Sequence, residues 1–216
     1  MRNHVQVAVV GGGVVGASVL YHLTKAGWKD VLLIERAELT SGSTWHAAGG
    51  MHTVNGDPNV AKLQQYTIEL YKEIEAISGV SCGVHITGGL MLAGTPERVD
   101  WLRMAVARGR YLGMDLQLIS AAEAKKLYPL LDERHFLGAI YDPIEGHVDP
   151  YGVTHAYAKS AQLAGAEIVR QNRVIDTRQR ADGTWDVITE KGTAHAEHVR
   201  NAAGRCAPAV ARFVAL

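Results

Sequence analysis

Cysteine is scarce in this chain: Cys82 and Cys206 are its only two in 216 residues. Two thiols do not make a disulfide framework for a domain of this size, and both read as small buried thiols in a reducing compartment. No run of about 18 consecutive apolar residues occurs, so no membrane-spanning helix is expected. An excess of charge of either sign is missing too. Lys and Arg number 22 and Asp and Glu number 22, a formal net charge of zero. A nucleic-acid partner would call for a clustered positive excess, so none is expected. Internal repeats and low-complexity tracts are also absent. What the chain has is apolar content, 47% of residues. That is enough for the core of one large domain or two small ones.

The N-terminus has the outline of a signal peptide, with Arg2 ahead of the apolar run Val5–Val10. However, Gly11, Gly12, Gly13 and Gly16 interrupt that run, and a second strand follows at βαβ spacing. The segment therefore reads as the start of a fold, and a cytoplasmic protein is expected.

Val5–Val10 is a β-branched strand buried on both faces, and Val14–Ala26 is a helix stopped by Gly27. Its inward stripe is Ala17, Leu20 or Tyr21, and Leu23. Val31–Ile34 is a second strand, ending on Glu35. Residues 36–57 are rich in small side chains and have little periodicity, which suggests a binding loop with at most a short helix. Asn59–Ile77 reads as an amphipathic helix with Leu63, Tyr66 or Thr67, Leu70, Ile74 and Ile77 on one face. A strand through Leu90 and Leu92 follows. Next comes a helix capped by Thr95 with Pro96 at its first position, and then a Ser120–Glu123 capping box. Leu137–Tyr141 is a strand, and Asp149-Pro150 opens a helix stopped at Gly165. Short strands at 168–169, 174–178, 185–189 and 196–200 complete the chain, with a hairpin turn at Asp182-Gly183. The fold class is α/β: a Rossmann-like dinucleotide domain in two parts, 1–80 and 150–216, with an inserted α+β region at 81–149.

Gly11-Gly12-Gly13-Val14-Val15-Gly16 matches G-x-G-x-x-G. The pattern alone is weak, but here it follows a strand, opens a helix and precedes Glu35 at the end of the next strand. Gly11 permits the tight turn, Gly13 lets a pyrophosphate approach the backbone, and Gly16 lets the helix pack closely. The helix N-terminus favours the phosphate anion. Glu35 can accept hydrogen bonds from an adenosine ribose and would repel a 2′-phosphate, although Arg36 beside it is a mild counter-signal. NAD and FAD both remain open at this point.

The following segment separates them. Leu33-Ile34-Glu35-Arg36 and the string Ser41-Gly42-Ser43-Thr44-Trp45-His46-Ala47-Ala48-Gly49 resemble the dimethylglycine and sarcosine dehydrogenases, members of the D-amino-acid-oxidase-like flavoproteins. Thr95–Asp100, Tyr128–Leu131, Gly146–Tyr151, Asp182–Val187 and Asn201-Ala202-Ala203-Gly204 continue the resemblance in family order. The likeness departs at His155, Arg200 and Cys206. It implies an FAD-binding domain with an inserted substrate region and a small amine substrate, here as the N-terminal fragment of a longer chain, truncated at the C-terminus. A folate-binding domain is implied beyond it. His46 is implied to carry the flavin covalently, while Ser43 and Thr44 either donate to the pyrophosphate or cap a helix. Asn201–Gly204 is implied to return the chain to the cofactor.

No catalytic residue can be named from the sequence, and no metal site is expected. His195 and His198 fall on opposite faces of one strand. The leading functional reading is an FAD-dependent dehydrogenase or oxidase acting on an N-methyl group of dimethylglycine or sarcosine, with an unknown electron acceptor. A non-catalytic flavin-binding subunit or regulatory paralogue is the second reading, and an NAD-dependent dehydrogenase is the third.

Overall fold

In a computed structural model, residues 1–214 are described. They form two compact units. The first comprises residues 1–48, 71–83 and 149 onward, and the second comprises 49–70 and 84–148.

The first unit is built on β1 (His4–Val10), α1 (Val14–Lys25) and β2 (Val31–Ile34). All four residues of β2 are buried, as expected of a strand covered on both faces. β8 (Glu167–Val169), β9 (Val174–Gln179), β10 (Trp185–Thr189) and β11 (Gly192–Asn201) complete a six-stranded sheet in the order β8-β2-β1-β11-β10-β9. The pairs β8–β2, β2–β1 and β1–β11 are parallel, while β11–β10 and β10–β9 are antiparallel. The sheet buries Val5, Ala8, Val10, Leu32, Ile34, Val187, Ala194 and Ala196, and Val210 and Phe213 pack against them. α5 (Pro150–Leu163) lies against α1, and the Tyr21 and Tyr157 rings meet with centroids 5.5 Å apart. Asp149 starts α5 by accepting from the amides of Tyr151 (3.0 Å) and Gly152 (3.1 Å), an N-cap.

The second unit holds β3 (Gly50–Met51), β4 (Gly89–Ala93), α3 (Pro96–Tyr111), β5 (Gln117–Ile119), α4 (Ala121–Leu127), β6 (Gly138–Asp142) and β7 (Gly146–His147). β4, β6 and β5 form an antiparallel sheet, and β3 pairs with β7. Leu102 and Val106 of α3 pack with Met114, Leu116 and Ile140, and Ala124 of α4 packs with Leu131 and Ala139. Thr95 accepts from the Arg98 amide, and the Ser120–Glu123 box closes in both directions. The inserted strands therefore belong to their own sheets and do not extend the parallel one.

Two sequence expectations need correcting. Residues 49–70 were expected in the dinucleotide domain, but they pack with the second unit. α2 (Pro58–Ser78) begins in one unit and ends in the other. It buries Ala61, Ile68, Leu70 and Ile74, whereas Leu63, Tyr66 and Ile77 are exposed. A helix that serves two packing environments has no single apolar stripe, so the one-face reading held at Leu70 and Ile74 but misplaced Leu63 and Ile77. Of the Tyr66-or-Thr67 alternative, Tyr66 is exposed and Thr67 half-buried.

Candidate functional site

The C-terminal ends of β1, β2 and β11 converge with the start of α1 around a cleft of about 580 Å³ in the first unit. This is where an open parallel sheet holds ligands. Gly11 has φ +113°, a conformation open to glycine, and a Cβ there would overlap the Ala202 carbonyl oxygen. The loop is thereby pressed against the end of β11, and the Ala202 amide donates to the Val10 carbonyl at 2.9 Å. A Cβ on Gly16 would overlap the Gly11 carbonyl, so α1 starts hard against the turn.

Glu35 is buried at 8% exposure, and its carboxylate faces the same turn. One oxygen accepts from the Gly12 amide at 2.6 Å and the other from the Ala37 amide at 2.9 Å. Two backbone donors fix the carboxylate at the end of β2, where its remaining lone pairs can take ribose hydroxyls. The α1 N-terminus has no side-chain cap of its own, because Gly13 occupies that position. Its first amide, Val14, donates to Thr44 Oγ1 at 3.0 Å.

Of the residues singled out in the sequence, Gly11, Gly12, Gly13, Val14, Val15, Glu35, Arg36, Ser43 and Thr44 line the cleft. Gly16 acts behind it, through packing. His46 is not in the lining. It is exposed, in a short 3-10 turn over Thr44–His46, with its ring against Trp45 at 4.3 Å between centroids. Several lining residues had no sequence signal: Arg173, Arg205, Val210 and Phe213. Arg173 reaches the cleft through strand order, and Arg205, Val210 and Phe213 follow the Asn201–Gly204 strand end without a pattern of their own. The other wall is Asn201–Ala203, the strand end that the resemblance pointed to.

The lining fits the ADP half of a dinucleotide. Val10, Ile34, Val174, Val210 and Phe213 offer apolar surface for a base, and Glu35 offers acceptors for the ribose. The α1 N-terminus and the guanidinium groups of Arg36, Arg173 and Arg205 suit a pyrophosphate.

The sequence profile of the FAD-dependent oxidoreductases (DAO) matches residues 6–215. The chain belongs to this family. It is 39% identical over 215 residues to human mitochondrial dimethylglycine dehydrogenase, covering 100% of this chain and 25% of that protein. It is 34% identical over 213 residues to human mitochondrial sarcosine dehydrogenase, covering 96% and 23%. It is also 33% identical over 202 residues to the mouse mitochondrial pyruvate dehydrogenase phosphatase regulatory subunit, covering 94% and 23%. The chain thus spans about a quarter of the length of these curated relatives. Among solved structures, L-proline dehydrogenase from P. horikoshii superposes with a TM-score of 0.91 at 27% identity, over 100% of this chain and 57% of that one. Glycine oxidase from Geobacillus kaustophilus gives 0.84 at 29%, over 100% and 59%. No helix among the described residues is long and apolar enough to cross a membrane.

Proposed function

We propose that this chain holds the ADP half of FAD in an enzyme that oxidises an N-methyl group of a small amine of the dimethylglycine or sarcosine class. The carrying observation is the cleft itself: the glycine turn, the α1 N-terminus and the Glu35 carboxylate converge on one volume. The similarity to dimethylglycine dehydrogenase along the whole chain supports the substrate class. FAD supplies the acceptor for a hydride leaving the N-methyl carbon. The chain's own work is binding and orientation. Gly11–Val15 and the Arg36, Arg173 and Arg205 side chains take the pyrophosphate, Glu35 takes the ribose, and the apolar wall takes the base. The amine reacts neutral, because an ammonium nitrogen has no lone pair to support the charge developing on carbon. The iminium product then loses its one-carbon unit by hydrolysis or to folate. Residues 84–148 of the second unit contribute to the amine-binding region in this reading.

His46 is the residue proposed to hold the flavin, through an imidazole nitrogen that would bond to the 8α-carbon. One hydrogen leaves the imidazole and one leaves the methyl group. Both would pass in the end to the enzyme's electron acceptor. Acid precipitation of the intact gene product tests the attachment. Yellow colour is expected in the wild-type pellet and in the supernatant of His46→Ala. Colour released from the wild type, or retained by the variant, rules it out.

A second reading is a flavin-binding regulatory protein, favoured by the likeness to the phosphatase regulatory subunit. Anaerobic addition of dimethylglycine or sarcosine to the flavin-loaded gene product separates the two. Bleaching of the flavin supports the enzyme, and an unchanged spectrum with both amines supports the regulatory protein.

A further inference from the structure

We infer that Thr44 is a positioning residue for His46: its hydroxyl fastens the turn that carries the imidazole to the first amide of the dinucleotide helix. The inference rests on the reading of His46 as the attachment point. α1 begins at a glycine and so brings no capping oxygen of its own. The missing acceptor arrives from thirty residues along the chain, as Thr44 Oγ1 at 3.0 Å from the Val14 nitrogen. The approach is close on the other side as well. A Cβ on Gly13 would stand 3.0 Å from the same oxygen, so the bare glycine leaves room for the clasp as well as for a ligand.

Thr44 is the first residue of the 3-10 turn Thr44–His46, so what holds it holds the imidazole two residues on. The turn closes through the His46 amide on the Ser43 carbonyl (3.2 Å) and the Ala47 amide on the Thr44 carbonyl (3.1 Å). Trp45 covers one side of the His46 ring, and α5 packs against the turn. The exposed faces of Trp45 and His46 leave few other contacts to fix this segment. Without the Thr44 hydroxyl, the loop from Ser41 to Ala48 loses its tie to α1, and the imidazole samples more positions before it bonds. A phosphate oxygen can take over the Val14 amide. Removing the hydroxyl should therefore slow attachment more than it weakens reversible binding.

The test compares Thr44→Val and Thr44→Ser in the intact gene product, following reversible FAD affinity by titration and covalent flavin by acid precipitation over time. At saturating FAD, where any loss of affinity is offset, Thr44→Val is expected to attach flavin about tenfold more slowly. Tenfold is the rate equivalent of about 1.4 kcal/mol, the size of one hydrogen bond. Thr44→Ser, which keeps the hydroxyl, should restore the rate. Wild-type attachment by Thr44→Val overturns the inference. So do equal slowing in both variants, which would indicate packing by the methyl group, and loss of all FAD binding in Thr44→Val. If the wild type carries no covalent flavin, the His46 reading fails by itself, and the clasp is then judged on chymotrypsin nicking after Trp45. Faster nicking in Thr44→Val than in Thr44→Ser sustains it, and equal nicking removes it.

Discussion

At the scale of single residues, the two thiols show how little the sequence says about environment. Both were read as buried, yet only Cys82 is fully enclosed. Burial first, then the charges of Glu75 and Asp149, push the Cys82 thiol up to about 12. A thiol held that high supplies almost no thiolate at neutral pH, and the thiolate is the reactive form. Cys206 instead lines the cleft at the ends of β1, β2 and β11 and is partly exposed. Titration of the native protein with a thiol reagent should show one fast thiol, Cys206, and one that reacts only on unfolding. Saturating ADP should slow the fast thiol several-fold by covering it. A Cys206 rate indifferent to ADP would mean that the ligand lies elsewhere. The glycine turn and Glu35 were legible because each answers a local demand of backbone geometry or charge. Arg173 was not, because nothing near it in sequence reveals that β9 comes back to the same cleft. For Phe213 the Asn201–Gly204 strand end pointed there, but no motif says which side chain after it reaches in.

At the scale of elements, legibility followed the strength of the local signal. The caps at Thr95, Ser120 and Asp149 specify helix starts through side-chain oxygens, and each is found where the sequence placed it. α2 was found, and Leu70 and Ile74 of its expected face are buried, but Leu63 and Ile77 are not, since no periodicity records a change of packing partner along one helix. The end of β6 carries a feature invisible to motif reading. Asp142 and Glu145 are both buried and both serve the segment after β3. The Thr53 hydroxyl donates to Asp142, the Thr53 amide donates to Glu145 at 3.0 Å, and His52 Nδ1 lies 3.1 Å from Glu145. Burial raises the Asp142 carboxyl above its ordinary range, against the opposing pull of the Thr53 hydroxyl and the Ile144 amide. A carboxyl raised in the folded state contributes stability that is fully present below its unfolded value. That contribution is lost as pH climbs through the folded value. Asp142→Asn keeps an acceptor for Thr53 and removes the titration. Relative to wild type, the variant should therefore gain stability from mildly acidic to neutral pH, read as a difference in Tm at each pH. A difference that stays flat, or that shrinks towards neutrality, would show that Asp142 ionises without cost.

At the scale of the whole molecule, the sequence announced the βαβ start and the change to α+β order. The boundary escaped it because α2 runs unbroken through residues 70 and 71, with no glycine, proline or composition shift to mark the crossing. Each unit has its own sheet and its own apolar cluster, and every residue lining the cleft around Gly11–Val15 and Glu35 belongs to the first. Local opening in proteins follows such cooperative units, and a ligand stabilises only the states that keep its site. ADP, which lacks the flavin, is the probe that isolates this effect. At about one hundred times its Kd it should stabilise the closed first unit by about 2.7 kcal/mol. That corresponds to roughly hundredfold slower hydrogen exchange for amides that exchange through opening of that unit. The protected amides should be those of β1, β2, β11 and the first turn of α1. Amides of β4, β5 and β6 should exchange at unchanged rates, because the β4–β6 and β5–β6 pairings and the cluster around Leu102, Val106 and Ile140 are made by the second unit's own residues. Equal slowing in β6 and β1 would show that the two units open as one, and the cleft would then owe its stability to the entire chain.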